Sequence, residues 1–183
     1  RSDVDFDGLD ELFLSNGELQ VVVRDDGLGA VHELSSYVLT HNFGDTLRRY
    51  PEHYHRTSEG PGESQPEPEH EGIASAHDRR LSKTSITPSD LATDAIGRLF
   101  GTDELVDADG HARLLHGWKL VDCEPQQLVF VHPLDPGRLE KRWVLDGHGL
   151  GLEYAGDFPA NSRLRVALHL AMPSCDGFGG RYR

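Results

Sequence analysis

Positive charge is scarce in this chain: 18 Lys and Arg face 31 Asp and Glu over 183 residues, a formal net charge of -13. Such a surface repels phosphate backbones and anionic lipid headgroups, so neither nucleic acid nor a membrane is expected as a partner. Long apolar runs are missing too, and Arg1–Asp7 has no basic stretch followed by an apolar one. These two absences predict a soluble, cytoplasmic protein. Only two cysteines occur, Cys123 and Cys175, far apart and without metal-type spacing. This argues against a disulfide framework and a cysteine-bound zinc, and predicts reduced or buried thiols. The length suits one domain, residues 1–183, with a real core, and is too short to hold a barrel-type catalytic domain as well.

What the chain does have is a succession of short apolar runs closed by turn signals. Leu19–Arg24 is β-branched and stops at Asp25-Asp26-Gly27; Gly29–Leu34 and Ser36–Thr40 follow as two further expected strands. Later come His116–Leu120, Leu128–His132 ending at Asp135-Pro136-Gly137, a hairpin of Leu139–Leu145 with Leu150–Tyr154, and the alternating Arg163–Leu170. Thr57–Glu71 mixes glutamates, prolines and glycines and reads as an exposed acidic loop. After it, Thr87 can cap a helix, Pro88 suits its first turn, Leu91, Ala95 and Leu99 keep helical spacing, and Gly101 can end it. Roughly seven or eight strands with one or two short helices predict a mainly β protein, an antiparallel β-sandwich.

Motifs that carry chemistry are few. His53-Tyr54-His55 would put two imidazoles on one face of a strand, with Glu52 or Asp78 to complete a metal site, but the reading preferred is hydrogen-bonding histidines, with no metal and no cofactor. Asp107-Ala108-Asp109-Gly110 resembles the start of a calcium loop whose later ligands are absent, so a solvent-exposed turn is expected. Gly177–Gly180 does not join a strand to a helix, and no serine elbow occurs. The 31 acids offer too many pairs to single out two for glycosidic chemistry. An epimerase-type acid–base pair from His32 and Glu33 is ruled out, because neighbours on a strand point to opposite faces. Of the aromatics Tyr37, Tyr54, Trp118, Trp143 and Tyr154, which could stack on sugars, Trp143 is expected in the core from its place in an alternating strand, while Trp118 is open to either role.

The block Asn42-Phe43-Gly44-Asp45-Thr46-Leu47-Arg48-Arg49-Tyr50-Pro51-Glu52-His53-Tyr54-His55 resembles a segment in the C-terminal domain of 4-α-glucanotransferases and α-amylases of glycoside hydrolase family 57. Gly29–Leu34, Ser75-Ala76-His77-Asp78 and Leu168–Ser174 are similar to further segments of that domain. The resemblance implies a supersandwich similar to that of galactose mutarotase. It also implies a catalytic barrel of the same polypeptide, preceding this domain, whose acids act on α-1,4-glucan. The expected role is therefore a non-catalytic accessory domain with that barrel and α-glucan as partners; the alternative is a free-standing carbohydrate-binding module. Arg48, Arg49, His53, Tyr54, His55, His77 and Asp78 are the expected carbohydrate or domain-interface residues, with Arg48, Arg49, Glu52 and Asp78 alternatively a structural ion-pair network. No catalytic residue is expected in this segment. The acidic loop and the chain's end at Arg183 depart from the family pattern, so a truncated C-terminus is expected.

Overall fold

The computed structural model describes residues 1–44, 46–50, 92–135, 137–147 and 149–172. It divides into two compact units, one of Arg1–Leu47 with Arg98–Arg183 and one of Arg48–Gly97. The first unit is a sandwich of two antiparallel sheets. One sheet has the order β1-β2-β3-β5-β11: β1 (Glu11–Ser15), β2 (Leu19–Arg24), β3 (Val31–Ser36), β5 (Phe100–Val106) and β11 (Arg163–Leu168). Two short strands join it, β4 (His41–Asn42) on β3 and β6 (Ala112–Leu114) on β5. The second sheet runs β10-β9-β8-β7, from β10 (Leu150–Gly156) and β9 (Arg138–Leu145) to β8 (Gln127–Pro133) and β7 (Lys119–Glu124).

Period-two patterning explains the layers. In β9, Leu139, Lys141, Trp143 and Leu145 are buried while the residues between them are not. Leu12 and Leu14 of β1, Val21 and Val23 of β2, and Val31 of β3 close the core from the other side. Trp143 is a core residue, as expected, Trp118 joins it there, and the indole N–H of Trp143 donates to the Gly29 carbonyl at 2.9 Å. The turn between β1 and β2 is set by Asn16, whose side-chain oxygen accepts the N–H groups of Glu18 and Leu19.

Two expectations need correction. The strand expected over Ser36–Thr40 ends at Ser36, because Tyr37–Thr40 turns the chain back, with Thr40 at φ +48° and Leu39 N–H held by the Ser36 hydroxyl. His41 and Asn42 then pair with Ser36 and Ser35. The helix expected from Pro88 to Leu99 is not formed at residues 92–99, and among the described residues there is no helix; 87–91 lie outside them. The helical spacing loses to tertiary partners. Asp94 takes the Arg49 backbone through both its N–H and its carboxylate, and Phe100 opens β5.

Gly101, read as a helix stop, is a β-bulge. Thr102 pairs with Ala167 and Phe100 with Leu168, which leaves Gly101 as the extra residue at φ +86°. A Cβ there would lie 2.6 Å from the Trp143 ring. The bulge turns the Gly101 carbonyl to the Lys141 ammonium, 2.5 Å away. The same ammonium meets the Asp103 carboxylate at 2.7 Å, and both side chains are fully buried. Ring centroids of Trp143, Trp118 and Tyr154 surround it at 5.3, 5.4 and 5.9 Å, and the Tyr154 hydroxyl donates to Asp103. Burial pushes the Lys141 ammonium down and the Asp103 carboxyl up, and their mutual attraction opposes both shifts.

Replacing one partner leaves the other charge buried and alone. Lys141→Met should lower stability by about 3–5 kcal/mol in urea denaturation, and adding Asp103→Leu should recover most of that loss. A single variant no worse than the double would contradict the pairing. Gly101→Ala should cost about 1–3 kcal/mol through overpacking against Trp143, added to the strain of its positive φ.

Candidate functional site

Of the residues that the sequence singled out, the structure places Arg48 and Arg49 in the second unit. Arg49 pairs with Asp94 at 2.9 Å, and the same carboxylate accepts its backbone N–H at 2.8 Å. Arg48 donates to the carbonyls of Ala95 and Asp94 and stacks over the Tyr50 ring, 4.8 Å from its centroid. Both arginines therefore tie residues 48–50 to 94–95 within this unit, and Arg49 has Asp94 as its ion-pair partner. His53, Tyr54, His55, His77 and Asp78, with Glu52, lie outside the described residues.

A groove of about 380 Å³ lies in the first unit, on the outer face of β1, β2 and β3. The alternation that buries Leu12 and Leu14 turns Glu11 and Phe13 outward. Strand register then aligns Phe13 with Val22 and Val22 with Glu33, one row across three strands, and sets Glu11 opposite Arg24. Val22 pairs with Glu33 and Val23 with Val31, so His32 is a bulge residue. The bulge brings His32 and Glu33 to the same groove, which corrects the expectation that these neighbours face opposite ways. At one end, Gly44 lies against β3 so closely that a Cβ would stand 2.6 Å from the His32 carbonyl oxygen. No larger residue fits there without moving the backbone.

The N-terminal wall is an acidic loop whose signal the sequence reading missed. Asp3, Asp5 and Asp7, followed by Gly8 at φ +91°, keep the spacing of the first six positions of a calcium loop. Asp3 accepts the N–H groups of Asp7 and Gly8, and Asp3, Asp5 and Glu11 bring ligand atoms within 4.8 Å of one another. These oxygens are of the type that holds a hard cation, but the twelfth position of such a loop is the core residue Leu14. In this structure the positive charge comes from the chain itself: Arg24 bonds Asp5, Asp7 at 2.5 Å and the buried Glu11 at 3.1 Å. Asp107, Asp109 and His111 also converge, on the exposed turn between β5 and β6, where Asp107 accepts the N–H groups of Asp109 and His111. This is the solvent-exposed turn that the sequence predicts.

Beside the groove, His32 Nε2 contacts Asp26 at 2.9 Å. Burial alone would push the Asp26 carboxyl up, but hydrogen bonds with His32 and the Leu28 N–H outweigh it and hold the group below its ordinary value of 3.8. A depressed carboxyl contributes stability above its unfolded pKa and loses it as pH falls through the folded one. Asp26→Asn should therefore be less stable than the parent at pH 7, and the gap should close below 3.8, as followed by urea denaturation at stepped pH. A gap that stays constant into acid would show that Asp26 works through shape alone.

Known proteins place this geometry in context. Residues 3–122 match the family described as alpha-amylase/4-alpha-glucanotransferase, C-terminal. An alpha-amylase of Pyrococcus abyssi is 34% identical over 126 residues, covering 66% of this chain and 18% of that protein. A 4-alpha-glucanotransferase of Thermococcus kodakarensis is 43% identical over 76 residues, covering 42% of this chain and 11% of its own length. The crystal structure of the 4-alpha-glucanotransferase from Thermococcus litoralis shares the fold, with a TM-score of 0.55 at 22% identity over 84% of this chain and 23% of that one. The chain thus spans less than a quarter of each of these relatives. With the family match running over most of its length, through the groove strands and on to β7, this chain belongs to the alpha-amylase/4-alpha-glucanotransferase C-terminal domain family.

Proposed function

We propose that this segment is a non-catalytic accessory domain of an α-glucan-processing enzyme, packed on the catalytic part of the same polypeptide and able to contact glucan. The observation that carries the reading is the share of the relatives that it covers: it aligns with 18% of an alpha-amylase and 11% of a 4-alpha-glucanotransferase. The bulk of those proteins lies beyond the aligned segment, in keeping with chemistry carried elsewhere.

A packing role is supported by β11, an edge strand among the described residues. Leu168, Leu170 and Met172 stand exposed at alternating positions along it and just beyond. The arginine contacts of the second unit serve internal cohesion first. Cys123 is a free, exposed thiol, which suits a reducing compartment and fits a cytoplasmic enzyme. A second reading, a free-standing carbohydrate-binding module, draws on one specific observation, the half-exposed Phe13 in a groove rimmed by polar groups.

The chain incubated with maltoheptaose should release no reducing sugar and form no longer or shorter glucans above the buffer rate, as read by chromatography. Glucose anomers should likewise interconvert no faster than in buffer. Turnover in either assay would end the non-catalytic reading.

A further inference from the structure

We propose that the groove over β1, β2 and β3 binds a neutral chain of α-linked hexoses, with the Phe13 ring stacked on a sugar face and Glu33, Asn42 and His32 bonding its hydroxyls. This rests on the accessory-domain reading and gives the glucan contact a definite surface, distinct from the arginine and histidine residues that the sequence put forward.

Four features suit a neutral sugar chain, and the α-linkage is taken from the accessory-domain reading. The groove is open and, at about 380 Å³, lies at the small end of the range for ligand pockets, about 300–1,000 Å³. An open groove of that size suits a few units of a longer chain. Its floor is apolar: the Phe13 ring is 41% exposed, with Val22 beside it in register. A flat ring of this kind matches the C–H face of a pyranose.

The rim carries polar groups that are each fixed at one atom and open at another. Glu33 Oε1 accepts the Ser35 hydroxyl at 2.6 Å and Gln20 at 3.4 Å, and Oε2 has no partner among the described residues. Asn42 Oδ1 accepts the N–H groups of Gly44 and Leu34, which leaves its amide N–H pair to donate. His32 is held through Nε2 by Asp26, and Nδ1 is left over. Groups already oriented by the protein lose little freedom on binding, and a hydroxyl both donates and accepts, so one sugar can serve all three.

Charge removes the other ligands of similar size. The charge of Arg24 is more than offset by Asp5, Asp7 and Glu11, which bond it, and Glu33 adds a further negative charge, so the groove is negative overall. A phosphorylated sugar or an acidic peptide is repelled. A neutral polyhydroxylated chain meets no such opposition.

The test is an amide-resolved NMR titration of the 183-residue chain with maltoheptaose, repeated with Phe13→Ala, Glu33→Gln and, as control, Val121→Ala at an exposed position of β7. Saturable shifts should gather at Glu11–Phe13, Val22, Glu33 and Asn42–Gly44. Phe13→Ala should weaken binding about tenfold and Glu33→Gln by a smaller factor, while Val121→Ala leaves it unchanged. Dispersed spectra of the variants would establish that they remain folded. Shifts elsewhere, or affinities untouched by Phe13→Ala and Glu33→Gln, would overturn the groove assignment and leave the accessory-domain reading standing. Failure of the folded parent to bind would overturn it too, and the accessory reading would then be judged by the turnover assays alone. Displacement of maltoheptaose from the groove by spermidine, with tighter binding of the polyamine, would overturn the ligand class and make it a cation site.

Discussion

One ion pair sets terms for the rest of this sandwich. Lys141 projects from the middle of the second sheet and Asp103 from the first, and they meet with no exposure to water. Apolar side chains tolerate sliding; an ammonium that must meet a carboxylate, a carbonyl and three aromatic faces does not. The Gly101 bulge, the tilt of Trp143 towards the Gly29 carbonyl and the bond from the Tyr154 hydroxyl all converge on this arrangement. The Gly101 carbonyl and the Tyr154 hydroxyl partner the buried charges directly, as charges held away from water require, while the Trp143 N–H bond fixes one of the rings beside them.

The inner face also dictates the outer one. Phe13, Val22 and Glu33 stand in a row because Leu12, Leu14, Val21 and Val23 point into the core, and a slip of one residue would exchange the two sets. The groove is therefore a by-product of core register, refined by two local devices. One is the His32 bulge and the other is the close approach of Gly44, which admits no side chain.

Much of the fold could be read from the chain alone where the local signals agreed. Leu19–Arg24 and Leu139–Leu145 are found as strands because β-branched or alternating residues end at turn signals. β1 was missed although Asp7-Gly8 and Asn16-Gly17 flank it, because Glu11–Ser15 is short and Leu12-Phe13-Leu14 is a continuous apolar run with no alternation to show which side faces in. β5 was hidden behind a helical spacing, and its glycine, a bulge in three dimensions, looked like a terminus. The alternation of β9 does place Lys141 inward, yet a lysine is normally read as exposed, and only Asp103 across the interface reverses that. The blocks that carried the family resemblance contain His32, Glu33, Asn42 and Gly44, but their meeting with Phe13 and Val22 comes through strand register, which no linear pattern announces.

The first sheet has a seam. β3 meets β5 through a single residue pair, Val31 with Phe100, while the other end of the same edge is taken by β4. Backbone pairing therefore does little to join β1–β4 to the β5, β6 and β11 group, and the opposing layer with its ion pair does most of that joining. The chain leaves the sheet after β4 and re-enters it at β5, so both ends of that excursion are set on one edge of β3. β9 works as a splint across the seam, with Trp143 holding the Gly29 side and Lys141 the Gly101 and Asp103 side.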